Sequence, residues 1–357
     1  MGNTKKKKKR SAAHIIIIAA VIMFSLIVFI ITGGFFVIRG YYEKSNYVAD
    51  PLSLELNSDI TIERDAEGKD SDQQLIRQVE EDLIKNAKGS KVSDEEVTNF
   101  LLIGTDRREE GWAGNSDAMI LVSINRKTEQ IIMTSIMRDT YAMIPQYGNG
   151  KINLAHALAG APLLVQAVEE NFSIEIDYYA TINFADFIEV IDQIGGITLE
   201  VREEEIPVAN KYVRDMNYDA GIDLDDGIIT EQAGEIHLTG KQALGYSRIR
   251  YVGNWDYERT ERQRKVLMKV IEKVKTMNLL EINSFVSFLL SKITHNVPET
   301  DIFAFILEAI NIMQYDVISE RIPYDGLYQS LVIDGQSVLC PDWEATKEKL
   351  HSMIYGN

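Results

Sequence analysis

Apolar positions change their spacing along the chain, and the changes mark out its elements. From Ile15 to Ile38 they run for 24 residues without a charge, long enough at about 1.5 Å per residue to cross roughly 30 Å of hydrocarbon. Residues 41–96 are polar, with a short alternation at Ile60 and Ile62 and a mixed helical stretch near Leu75–Ala87, and predict a loosely packed stalk. Compact order starts at Val97. Asn99–Gly104 and Ala118–Ile124 are apolar runs of strand length, and Gln130–Met137 follows a polar turn, so the second and third runs predict a hairpin.

Beyond Ile152 the period lengthens to that of a helix, with Leu154, Leu158, Val165 and Val168 on one stripe up to Phe172. Tyr178–Ile182 predicts a strand, Phe184–Ile194 a helix ended by Gly195-Gly196, and Ile197–Val201 a further strand. Lys241–Tyr246 reads as a short helix before an Arg-rich loop, and Tyr257–Met277 is the longest soluble helical pattern. Helices near Glu281–Ile293 and Thr300–Met313 precede a strand at Val317–Pro323. Glu203–Leu238 is acidic and poorly periodic, and predicts a surface excursion. Strands interleaved with helices imply an α/β fold, a layered α-β-α domain around a central mixed sheet, because the early hairpin is antiparallel. The expected organisation is a basic tail (1–14), a membrane span (15–38), a stalk (39–96), a catalytic domain (97–323) and a C-terminal tail packing on it (324–357).

Charge adds topology. The first 40 residues hold seven basic residues and no acid, so removing them from the net −17 leaves −24 on the rest. The block Lys5–Arg10 ahead of the apolar run places the N-terminus in the cytoplasm and the body outside the cell membrane. The run is too long for a signal-peptide core, and Thr32-Gly33-Gly34 is a poor cleavage site, so the span is expected to stay as a single-pass anchor. A body this acidic is a poor nucleic-acid binder. The lone Cys340 leaves it without an internal disulfide, held by its core.

The chain has no G-x-S-x-G, H-E-x-x-H or P-loop pattern, and its five histidines lack ligand spacing. His156, beside Asn153, reads as a satisfied polar residue. Basic residues instead gather in Tyr246–Lys265, six against Asp256, Glu258 and Glu261. In an extended segment Arg248 and Arg250 would point the same way, about 7 Å apart at roughly 3.3 Å per residue, a spacing suited to adjacent phosphates. Arg259 and Gln263 share the stripe of Val266, Val270 and Val274 at a helix N-terminus, where free N–H groups and the dipole favour an anion. Arg262, Arg264 and Lys265 are expected on the solvated face, in pairs such as Glu258–Arg262 and Glu261–Lys265. Asp106 ends the first core strand and Asp117 begins the next, which predicts both carboxylates at one end of the sheet. Such a pair suits Mg²⁺ shared with a substrate phosphate, and it equally suits loop capping. Arg138 and Asp139 reach the same edge from the third strand.

The order GTD-x-R, SDAMILVSIN, SIMRD, GKIN-x-A, GGI, LTGKQAL and R-x-R…D-x-x-R…RQR, across about half of the chain from Asn99 to Lys275, resembles the LytR-CpsA-Psr family of Gram-positive cell-wall enzymes. The resemblance implies an extracellular phosphotransferase moving a phosphate-linked glycopolymer, of teichoic acid or capsule type, from an undecaprenyl diphosphate carrier to a peptidoglycan hydroxyl. It implies Asp106 and Asp117 as the Mg²⁺-associated acids, and Arg108, Arg138, Lys151, Arg248 and Arg250 as diphosphate ligands. Asp256, Arg259 and Gln263 would line the catalytic edge. Trp255 and Glu258 stand where the family often has glycine, which changes the loop around Asp256. Apolar helix faces at 152–194 and 279–312 fit either a lipid tunnel or plain core. A non-catalytic envelope regulator and a diphosphatase of polyprenyl diphosphates are the other function classes.

Overall fold

The computed structural model describes residues 37, 39–49, 57, 60, 65, 69–86, 89–106 and 113–356. The basic block, the apolar span except Val37, and Arg108 lie outside the described residues. Among those described, no helix is long and apolar enough to cross a membrane.

In chain order the strands are β1 (Asn46–Tyr47), β2 (Val97–Thr105), β3 (Ser116–Asn125), β4 (Gln130–Ile136), β5 (Tyr141–Ile144), β6 (Gly148–Lys151), β7 (Tyr178–Asn183), β8 (Ile197–Val201), β9 (Gly234–Leu238), β10 (Thr294–His295), β11 (Asp316–Ile322), β12 (Tyr328–Ile333) and β13 (Gln336–Pro341). The helices are α1 (Gln73–Asn86), α2 (Leu154–Phe172), α3 (Phe184–Gln193), α4 (Ile206–Ala220), α5 (Gly240–Ser247), α6 (Trp255–Lys275), α7 (Leu279–Lys292), α8 (Glu299–Ile312) and α9 (Trp343–Tyr355). One seven-stranded sheet runs β1-β10-β7-β2-β3-β4-β11. It is mixed: β3 is antiparallel to β2 and β4, while β7 and β11 lie parallel to β2 and β4.

Both faces of β2 are covered, which is why it reads as a near-continuous apolar run. Leu101 and Ile103 join a core with α1, α2, α9 and the β12–β13 hairpin. Phe100, on the opposite face, meets Tyr178 and Phe305 at ring-centroid distances of 5.2 Å. A second core gathers α3, α4, α5 and the β8–β9 pair against Val266 of α6. Here α3 and α5 touch backbone to backbone, because a Cβ on Gly240 would fall 2.1 Å from the Ile188 carbonyl oxygen.

Two segments pack more deeply than their sequence suggested. Part of the expected stalk is body: α1 buries Ile76 and Leu83 in the main core, and β1 pairs with β10. The stretch Glu203–Leu238 holds α4 and β9 rather than a surface excursion. Its helical stripe was hidden because two buried positions are asparagines. Asn210 exchanges hydrogen bonds with the Ile229 backbone, and Asn217 donates to the carbonyls of Leu224 and Asp226, so the loop supplies the partners that burial demands. The C-terminal residues place Leu331, Ile333, Val338, Trp343, Leu350 and Ile354 in the main core. The helix expected over Ile152–Phe172 is broken at Ala159-Gly160, where Gly160 takes φ +73° ahead of Pro162.

Candidate active site

The predicted site residues that are described converge on the sheet edge where β2 and β4 end and β3 begins, capped by the end of α5 and the start of α6. Arg138, just past β4, donates through Nη1 to Asp117 Oδ1 at 2.8 Å, and its Nε lies 3.7 Å from Asp139 Oδ2. Asp139 Oδ1 sits 2.9 Å from Lys151 Nζ at the end of β6. Lys151 also bonds Asp65, a carboxylate held in turn by the Ser337 N–H at 2.8 Å.

Arg248 and Arg250 do not lie on an extended segment. Arg248 is the C-cap of α5, with φ −93° and ψ −6°. A helical backbone turns successive side chains by about 100°, so the two guanidiniums reach different partners. Arg248 stacks over the rings of Phe184 and Tyr212 at 4.8 and 5.0 Å, with Nη2 4.0 Å from Asp106 Oδ2. Arg250 grips Asp256 instead, Nε to Oδ1 at 2.9 Å and Nη2 to Oδ2 at 3.2 Å. Arg259, one turn into α6, is 5% exposed, with Nη1 3.4 Å from Asp256 Oδ1 and a buried Nε that has no hydrogen-bond partner. Gln263 follows, half-buried, one turn further on.

The charges act on one another. Burial works against ionised Asp256, but Arg259, Arg250 and Arg138 overcome it and hold its pKa below the ordinary carboxylate range. Burial and the neighbouring Arg138 lower the Arg259 pKa. Burial opposes the charge on Arg138 too, yet Asp117, Asp139 and Asp256 raise its pKa overall. The edge thus concentrates guanidiniums on a shared set of carboxylates, and a diphosphate can take over the carboxylates' role at the exposed nitrogens.

Two arginines expected on the solvated face are buried. Arg262, 1% exposed, donates to Glu205 Oε1 at 2.8 Å, to Glu258 Oε2 at 2.8 Å, and to the carbonyls of Ile249 and Val252. Arg264 reaches the sheet, bonding Ser135 Oγ at 2.6 Å and Ser319 Oγ at 2.7 Å, and burial pushes its pKa down to about 10. The signal was in the spacing, since Arg259, Arg262 and Val266 follow i, i+3, i+7 on one helix stripe; charge alone argued for solvent. Lys265 does pair with Glu261, exposed at 2.7 Å. Glu258 also bonds Arg202 Nη2 at 2.6 Å and the Asn254 N–H at 3.0 Å. It therefore shapes the turn at Gly253, whose φ is +72°. With Asp256 and Glu258 in its first turn, the α6 N-terminus already faces carboxylates. His156 is 4% exposed, with Nδ1 2.8 Å from the Gly114 carbonyl oxygen, a satisfied core residue.

Among the described residues no three His, Cys, Asp or Glu side chains gather as a metal site. Asp117 spends Oδ1 on Arg138 and keeps Oδ2. The donor set fits Mg²⁺ only in the mode where phosphate oxygens and water complete the shell, as is common for that ion.

The chain resembles known proteins in sequence and fold. The profile of the LytR_cpsA_psr family matches residues 60–353, from within the expected stalk to α9. "Polyisoprenyl-teichoic acid--peptidoglycan teichoic acid transferase TagU" of Enterococcus faecalis is 36% identical over 201 residues, 55% of this chain and 60% of that protein. "Biofilm regulatory protein A" of Streptococcus mutans is 33% identical over 199 residues, 52% of this chain and 46% of that protein. The chain thus spans about half the length of these curated relatives. The solved structure of the LytR-CPS2A-psr family protein YwtF (TagT) with bound octaprenyl pyrophosphate lipid superposes with a TM-score of 0.55 at 25% identity, covering 74% of this chain and 94% of that one; YwtF comes from Bacillus subtilis. A family profile spanning most of the chain, on a fold that gathers the motif residues at one sheet edge, shows that this protein belongs to the LytR_cpsA_psr family.

Proposed function

We propose that the protein is a membrane-anchored phosphotransferase that moves a phosphate-linked glycopolymer from a polyprenyl diphosphate to a peptidoglycan hydroxyl outside the cell. One observation carries this reading: Arg138, Arg250 and Arg259 share Asp117 and Asp256 at the sheet edge, an arrangement suited to the charge of a diphosphate. The lipid diphosphate in YwtF and the transferase name of TagU support the same substrate class. The 24-residue apolar run behind a basic block supports the anchor.

The acceptor hydroxyl attacks the phosphorus on the glycan side, its oxygen forms the new P–O bond, and polyprenyl phosphate leaves with the electron pair of the broken P–O bond and takes up the hydroxyl proton. Phosphoryl transfer through a loose transition state needs positioning and charge stabilisation more than a covalent nucleophile. The arginines supply both. Asp256, kept ionised by three arginines, orients Arg250 and Arg259. Asp106 and Asp117 would hold Mg²⁺, which when bound adds positive charge against the phosphate oxygens. Lys151 and Arg248 extend the cationic edge, and Gln263 adds a neutral donor beside Arg259.

The test is turnover by the full chain in detergent, with a short-chain polyprenyl diphosphate glycan and peptidoglycan fragments. The expected products are polyprenyl phosphate and a phosphodiester-linked conjugate. Release of free phosphorylated glycan in place of the conjugate would make the protein a diphosphatase, and no turnover of bound lipid would leave the regulator.

A further inference from the structure

Past its first turn, α8 holds one charged residue, Glu308. Arg126 grips that carboxylate through Nε at 3.1 Å and Nη2 at 2.9 Å. A helix that is apolar nearly all round is normally covered on every side, but α8 is covered on one. Its inner side packs Ile302, Phe303 and Phe305 against Val286 and Leu290 of α7 and Phe100 and Tyr178 of the sheet. On the outer side Ile306 and Leu307 are 39% and 65% exposed. The exposed residues Thr300, Ala304, Leu307 and Asn311 follow i, i+4, i+7 and i+11, so they form one stripe, and it carries no charge in an otherwise acidic body. Helix α9, across the sheet, exposes Glu344, Glu348 and Lys349, as a solvated helix does. The two outer helices are therefore built for different surroundings.

The path of the chain says what covers α8. Arg39 is the first residue past the apolar run, and residues 39–42 are helical, so Tyr42 stands only about 4.5 Å further along the axis. Tyr41 and Tyr42 pack on the cluster that α7 and α8 share. The Tyr42 hydroxyl lies against the backbone of Glu299, the first residue of α8. Just beyond, β1 pairs with β10, and the Val48 N–H donates to the His295 carbonyl at 2.9 Å. The end of the run is thus fastened to the body at the start of α8, with tyrosines where a chain leaves hydrocarbon for water. We propose that the uncharged stripe of α8 rests on the outer leaflet of the bilayer, with Leu307 and Ile306 entering the acyl boundary beside the anchor. Interfacial helices lie about 5–10 Å into that boundary, a depth that excludes a charged stripe such as that of α9. The inference rests on the anchor reading of the apolar run.

Spin-label accessibility of the full chain in phosphatidylcholine–phosphatidylglycerol vesicles tests it. Leu307→Cys and Ala304→Cys put a nitroxide on the stripe, and Ser352→Cys puts one on α9. All three positions are exposed, so the label displaces no packed side chain, and the native Cys340 is buried. On α8, collisions with dissolved oxygen should rise and those with a water-soluble nickel complex should be lost. On α9 the nickel complex should collide freely. Nickel collisions on α8 as frequent as on α9 would overturn the assignment. So would α8 labels reached by neither oxygen nor nickel, since a protein partner would then cover the stripe. Vesicle flotation of the unlabelled chain judges the anchor separately. A chain that fails to float would sink the anchor reading and this inference with it, whereas a floating chain with a nickel-accessible stripe would sink the inference alone.

Discussion

Arg250 holds Asp256 with a forked pair of hydrogen bonds, Nε to Oδ1 at 2.9 Å and Nη2 to Oδ2 at 3.2 Å. The carboxylate fixes the plane of the guanidinium and leaves Nη1 outside the fork. Arg250→Ala should weaken polyprenyl diphosphate binding by about 1.5–3 kcal/mol, the worth of a hydrogen bond to a charged group. Arg250→Lys should recover little, because an ammonium cannot reproduce the fork. Calorimetry with both variants checks this, and full recovery by lysine would show that charge alone matters.

Acid should destabilise the protein through two named carboxylates. Burial works to raise Asp256 and Glu205, but Arg259 and Arg250 in the first case, and Arg202 and Arg262 in the second, hold both below their ordinary values. A folded value below the unfolded one contributes stability above the unfolded pKa of about 4, lost as pH falls through the folded value. The unfolding midpoint should therefore drop below about pH 4. Glu205→Gln should be less stable at pH 7 and show a smaller acid-induced drop, and an unchanged acid profile would remove Glu205 from the account.

Arg262 and Glu205 form a pair whose side chains are 2% and 3% exposed. Removing one partner leaves the other charge buried, so Arg262→Ala should cost about 3–5 kcal/mol in denaturant unfolding. Arg262 also holds the carbonyls of Ile249 and Val252, which flank Arg250. Arg262→Met with Glu205→Leu should regain much of the stability while diphosphate affinity stays low. Recovery of affinity in that double variant would show that the loop holds its shape without Arg262.

Metal and diphosphate should tighten each other. Asp117 has one oxygen on Arg138, so Mg²⁺ alone should bind weakly and gain affinity when phosphate oxygens join the shell. Linkage requires the same factor in the reverse direction. Asp117→Asn should abolish the enhancement and keep much of the affinity that depends on arginine. Equal diphosphate affinity with Mg²⁺ and with EDTA would return Asp106 and Asp117 to loop capping.

Local pattern was enough for most elements. The runs at Asn99–Gly104, Ala118–Ile124 and Gln130–Met137 became β2, β3 and β4 within two residues, because strands covered on both faces need apolar side chains throughout. The pattern likewise placed Asp106, Asp117 and Arg138 at strand ends, where chain reversals bring them to one edge, and Lys151 joins them from β6, a strand the pattern did not predict. Sequence could not say which charges leave solvent. Arg262 and Lys265 are three residues apart and equally basic, yet one is buried and the other exposed, since burial of a cation depends on a carboxylate arriving from elsewhere. Glu205, 57 residues earlier in the chain, is that partner. The same reason hid α4, whose buried asparagines needed carbonyls from a later loop. Periodicity and motif order thus determined the elements and the residues that gather at the edge. Pairing between distant segments decided which of them are buried, which are tied to one another, and which stay open to solvent.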